Sequence, residues 1–252
     1  MKNNSKEANY YLLKNVATYR LSPDGISAGL FCCLLVSILM NLFLYFAVNN
    51  NFNVHQIWQP ILKVSIILTI IQFFITVFYA NYYRAYKYQK SQIYIFCFVT
   101  LKMQIEVYYA FFSFSMSDEL NSNTINLVIL LLIGGFILLG LSLMRAFFRI
   151  LQGKCKENGP GLLNFKQSKG YLSLPFIIIA TVVGVSLTNG NDVDFFNLIT
   201  MYFFPLSIAI GGQYVMALLW PEFFLLAYCK SKFGSFIIPV PLRHRKKRGV
   251  TR

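Results

Sequence analysis

Five stretches of the chain, 25–62, 64–83, 120–144, 170–191 and 195–221, contain no Asp, Glu, Lys or Arg. A membrane-spanning helix needs about 20 mostly apolar residues, and each stretch is long enough to supply them. A further apolar and aromatic segment, 93–116, is interrupted only by Lys102 and Glu106. Composition agrees: 56% of the residues are hydrophobic and 13% charged, where a soluble domain carries about 25% charged residues. A water-soluble enzyme or a disordered binder is excluded.

Trimming the runs at turn signals predicts an all-α integral membrane protein. Its six transmembrane helices fall near 28–48, 61–83, 93–116, 124–144, 171–189 and 200–229. Residues 1–27 form a cytoplasmic N-terminal segment, 28–229 the membrane domain and 230–252 a polybasic cytoplasmic tail. The first run is too long for a secretory signal and follows a mostly polar segment, so it reads as an uncleaved span. The expected location is a cell membrane, multi-pass. The abundance of Asn, Ile, Lys, Phe and Tyr suggests an AT-rich bacterial source and hence the bacterial cytoplasmic membrane.

Orientation follows from the basic residues. The N-terminal segment, the loop near 84–90, the loop 145–170 and the tail together hold 21 of the 23 Lys and Arg residues. The alternate loops, 49–60, 117–123 and 190–199, hold none; their charges are Asp118, Glu119, Asp192 and Asp194. This bias places both termini in the cytoplasm, as an even number of spans requires. Tyr82, Tyr83, Tyr86, Tyr88 and Tyr94 fall at the inner interface and Trp58 at the outer one, where amphipathic rings anchor spans.

The net charge of +14 is read as attraction to anionic lipid at the cytoplasmic face, not to nucleic acid. Arg243, Arg245, Lys246, Lys247 and Arg248 concentrate it in the tail, and no aromatic residue is interleaved there to stack bases. Pro239 and Pro241 make the preceding segment an extended spacer. Before the first span, residues 7–21 predict a short interfacial helix with Leu13, Val16, Ala17 and Leu21 on one face. Ser22-Pro23-Asp24-Gly25 then reads as a turn into the first span.

Chemistry-bearing motifs are scarce. The two histidines, His55 and His244, form no HExxH pair, and no GxSxG elbow, P-loop or adjacent intramembrane aspartates are present. The five cysteines have no metal-type spacing. No cofactor or metal is expected, and enzymatic activity is disfavoured. The sharpest signal is intramembrane charge: Lys102, Glu106 and Glu222 lie within predicted spans, where a charge is costly and points to function or to structural pairing. Counting depth from the helix ends places Lys102 and Glu222 level, so the two are expected to pair across helices.

Segment 195–229 is too long for one straight span. Pro205, Gly211, Gly212 and Pro221 lie within it. Two resolutions stand: a helix broken near Pro205 or Gly211-Gly212, or a single kinked and tilted helix. Gly134, Gly135 and Gly140 thin the fourth predicted helix and permit close packing.

Two functions suit these features. The first is a small permease-type transport subunit acting with a cytoplasmic partner such as an ATPase. The alternative is a non-catalytic immunity or accessory protein that binds a toxin or another membrane protein.

Overall fold

The computed structural model describes residues 10–50, 58–115, 122–157, 159 and 204–240, and it is helical. Five helices are long and apolar enough to cross a membrane. The expected span at 171–189 lies outside the described residues, as do the acidic outer-loop residues and the polybasic tail.

A short helix, α1 (Tyr11–Thr18), leads into α2 (Pro23–Asn50). The turn-like Ser22-Pro23-Asp24-Gly25 is the N-terminus of α2. The Gly25 N–H donates to Ser22 Oγ at 3.2 Å, a capping bond, and Pro23 takes the first helical position, where its missing N–H costs nothing. The helix thus starts five residues before the expected 28.

The second span, α3 (Trp58–Ala80), stops three residues before the expected 83. Asn81 is the cause: its side chain accepts from the Tyr83 N–H at 3.1 Å and caps a new short helix, α4 (Tyr82–Lys87). The third span is α5 (Gln89–Glu106) followed by α6 (Tyr108–Ser115). Val107 between them keeps helical dihedrals, and its N–H still bonds Met103 O. Next, α7 (Ser122–Leu151) runs past the expected 144. It ends where Gly153 adopts φ 71°, the left-handed conformation that terminates helices and that glycine takes without a Cβ penalty.

The last helix, α8 (Phe204–Lys232), is continuous, so of the two resolutions the single helix holds and the break near Pro205 or Gly211-Gly212 is not found. Pro205 falls in the first turn, where backbone N–H groups lack helical partners anyway. Gly211 and Gly212 stay helical; a side chain at Gly212 would meet Val107 across the interface at 3.8 Å. Pro221 is accommodated inside the helix.

Packing shows a lipid-facing design. Along α3, the buried residues are Leu62, Ser65, Thr69, Gln72, Thr76 and Tyr79, while Val64, Ile67, Ile70, Phe74 and Val77 are exposed. Polar groups point inward and apolar ones outward, the reverse of a soluble helix. Hydrocarbon gains nothing from burying Ile, whereas a hydroxyl or amide there needs a partner.

Contacts gather the basic segments at one end. Tyr10 packs on Tyr228 and Phe233, with ring centroids 6.2 and 5.7 Å apart. The Leu12 N–H donates to Cys155 O at 3.1 Å. Gln89 exchanges two hydrogen bonds with Ile238, at 3.0 and 3.1 Å. The apolar face of α1 is therefore used within the protein: Leu13, Ala17 and Leu21 are buried in the main core. Tyr86, expected in the lipid belt, is also internal. Its hydroxyl donates to Asp24 at 2.9 Å, and burial first, then its hydrogen bonds to Tyr82 and Asp24, raises the phenol above its usual range.

A candidate intramembrane charge site

Lys102 lies on α5, thirteen residues from the helix start and therefore ~20 Å along its axis. Its ammonium faces α2 and α3. It donates to Gln72 Oε1 at 2.5 Å, with Thr69 Oγ1 at 3.3 Å and Ser37 Oγ at 3.4 Å. Glu106, one turn on, completes the pair at 3.0 Å. The carboxylate also accepts from Ser37 at 2.6 Å and Ser65 at 3.4 Å. Asn41 closes the outer edge by donating to Thr69 Oγ1 at 3.1 Å and Ser37 O at 2.7 Å. Both charges are buried, the Glu106 side chain to 1% exposure.

This arrangement corrects the expected Lys102–Glu222 pair. Trp220 Nε1 donates to Cys97 O at 3.2 Å, and Phe223 packs on Phe96. Glu222 is thus level with Cys97, five residues and ~8 Å short of Lys102. It pairs instead with Arg20, from the linker between α1 and α2. Depth counted from helix ends misled because it takes those ends as lying level, and counting carries no information about which face a side chain occupies. The local Lys-before-Glu pair is worth a few tenths of a kcal/mol on an isolated helix. Here it prevails because Ser37, Ser65, Thr69 and Gln72 supply the remaining polar partners.

Those four residues and Asn41 were not singled out in the sequence. A signal was present: Ser65, Thr69, Gln72 and Thr76 recur at helical spacing, as do Ser37 and Asn41. In an apolar helix such a stripe marks the side turned toward protein.

A second polar junction fastens α8. Gln213 Oε1 accepts from Tyr108 Oη at 2.5 Å, and its Nε2 donates to Leu132 O at 3.0 Å. One glutamine thereby ties α6, α7 and α8. Of the residues expected to break the last helix, Pro205, Gly211, Gly212 and Pro221, none joins the charge cluster through a described contact.

Chemically, the cluster is a neutral ion pair in a shell of hydroxyls and amides. Among the described residues, no group of His, Cys, Asp and Glu is placed to hold a metal ion. No protein family, curated protein or solved structure matches the chain.

Proposed function

We propose that this polytopic membrane protein is a permease-type transport subunit whose Lys102–Glu106 cluster is the polar element of its pathway. The carrying observation is the cluster's composition: an ion pair with five hydroxyl and amide side chains, drawn from α2, α3 and α5. Burying charges in a bilayer is expensive, and intramembrane ionisable groups mark substrate or ion routes. The chain carries no nucleotide-binding motif, so the energy comes from an ion gradient or from a cytoplasmic ATPase partner. The basic end of the bundle, which joins α1, α4 and the base of α8, is the surface for such a partner and for anionic lipid. The immunity or accessory alternative rests on outer acidic loops outside the described residues, and no described feature favours it.

Thiol accessibility tests the pathway without knowing the substrate. In a chain whose native cysteines are replaced, Ser65→Cys or Ser37→Cys should react in intact cells with a small, membrane-impermeant thiol reagent. Val64→Cys, which faces lipid, should not. Failure of both cluster positions to react from either side would make the cluster sealed packing and remove the transport reading.

The same reagents check the proposed orientation, with both termini cytoplasmic. Cysteines at Asn50 and Ser122 should label from outside, and cysteines at Gly159 and Lys247 should label only after permeabilisation. Labelling of Gly159→Cys in intact cells would reverse the assignment.

A further inference from the structure

Between α3 and α5 runs a groove of about 240 Å³ that reaches the cluster from the side. Its walls are Leu68, Ile71, Ile75, Ile95 and Phe98, and its floor includes Gln72 and Lys102. Ile71 and Phe98 at the rim are exposed, whereas Gln72 is only 2% exposed. The groove therefore opens where lipid chains run and ends on polar groups. Apart from the Tyr94 ring with its phenol, the rest of its lining is hydrocarbon.

Gln72 supplies the second observation. Lys102 has donors only, so the Gln72 atom it meets at 2.5 Å must be the carbonyl oxygen. The amide orientation is thereby fixed, and flipping it would set NH₂ against ammonium. Gln72 Nε2 is left buried with no hydrogen-bond partner. A buried donor without an acceptor is costly, and native structures rarely tolerate one.

We propose that the groove binds a membrane-dissolved, neutral, apolar molecule bearing a carbonyl oxygen, which accepts from Gln72 Nε2 while its chain lies along Ile71, Ile75 and Phe98. Neutrality follows from the route: the groove opens where lipid chains run, and an ionised group is costly to carry through hydrocarbon, while the Lys102 ammonium already has its counter-ion in Glu106. Depth excludes the ester carbonyls of bilayer lipid. Gln72 lies eight residues from the inner end of α3, ~12 Å along the axis, whereas ester groups sit at the edge of the hydrocarbon core. The ligand class is therefore a free ketone- or quinone-type molecule. The site deepens the transport reading by naming a substrate class, yet its binding is measurable whether or not the cluster admits water.

The test uses the full chain in phosphatidylcholine nanodiscs and a long-chain methyl ketone carrying a terminal diazirine. Matching alkane and carboxylate probes serve as comparisons. Photolabelling should fall on residues 68–75 and 94–99 and be competed by unlabelled 2-undecanone. The ketone should bind about fivefold more tightly than the alkane, the ratio one neutral hydrogen bond sets. Gln72→Leu should abolish that preference. Because Gln72 also supports Lys102, Ile71→Trp provides the second variant: it should block labelling by both probes, while Val64→Trp leaves it intact. Labelling spread over all lipid-facing helices, equal binding of ketone and alkane, or tighter binding of the carboxylate would each overturn the proposal. Saturable ketone binding beside an unreactive Ser65→Cys would keep the site and remove only the transport reading.

Discussion

Lys102→Met should destabilise the protein by about 3–5 kcal/mol, the cost of leaving one member of a buried ion pair alone. Glu106 would lose its only counter-ion among the described residues and keep Ser37 and Ser65. Gln72 would lose its shortest bond, at 2.5 Å. Glu106→Gln should cost a similar amount, since it strands the ammonium. The double variant Lys102→Met/Glu106→Gln should be more stable than either single, because no uncompensated charge remains. Reversible unfolding in mixed micelles gives the comparison. A harmless Lys102→Met would mean that the ammonium is not buried among these partners.

The next largest effect is expected at Gly135. A Cβ there would collide with the amide end of Gln213. A free glutamine would swing away, but this one is held by Tyr108 at 2.5 Å and Leu132 O at 3.0 Å. Gly135→Ala must therefore break both bonds or push α7 from α8, at about 2–4 kcal/mol in all. Gly140→Ala is the control. Nothing lies within 4 Å of its new methyl, and alanine is the better helix former, so stability should hold or rise slightly. Equal effects at the two positions would contradict the docking of Gln213 against Gly135.

Much of the membrane architecture was legible because it rests on long-range composition. Charge-free runs are unambiguous over 20 residues, and lipid tolerates few other solutions. The helix ends were less legible because local caps set them. Asn81 stops α3 early, Ser22-Pro23 starts α2 early, and Gly153 lets α7 run late. The continuity of α8 was undecided in the sequence, since proline and glycine mark breaks in water more reliably than in a packed bundle.

At the site, Lys102 and Glu106 were visible as charges out of place, but their company was not. The pairing depends on helix azimuth, which hydropathy does not report. Glu222 looked level with Lys102 by depth, and only the Trp220–Cys97 and Phe223–Phe96 contacts set it lower, beside Arg20. The polar stripe on α3 held the missing information: Ser65, Thr69 and Gln72 face α2 and α5 and mark where the ammonium is received.

The Lys102–Glu106 pairing is tested most directly by two double-mutant cycles run in parallel, Lys102→Met with Glu106→Gln and Lys102→Met with Glu222→Gln. Residues in contact within one network couple by about 0.5–3 kcal/mol, and separated ones add within about 0.3–0.5 kcal/mol. The first cycle should give a coupling of at least about 3 kcal/mol, because both charges are buried at 3.0 Å and the double variant strands neither. The second should be additive. A large coupling between Lys102 and Glu222, with none between Lys102 and Glu106, would contradict the pairing and the site built on it.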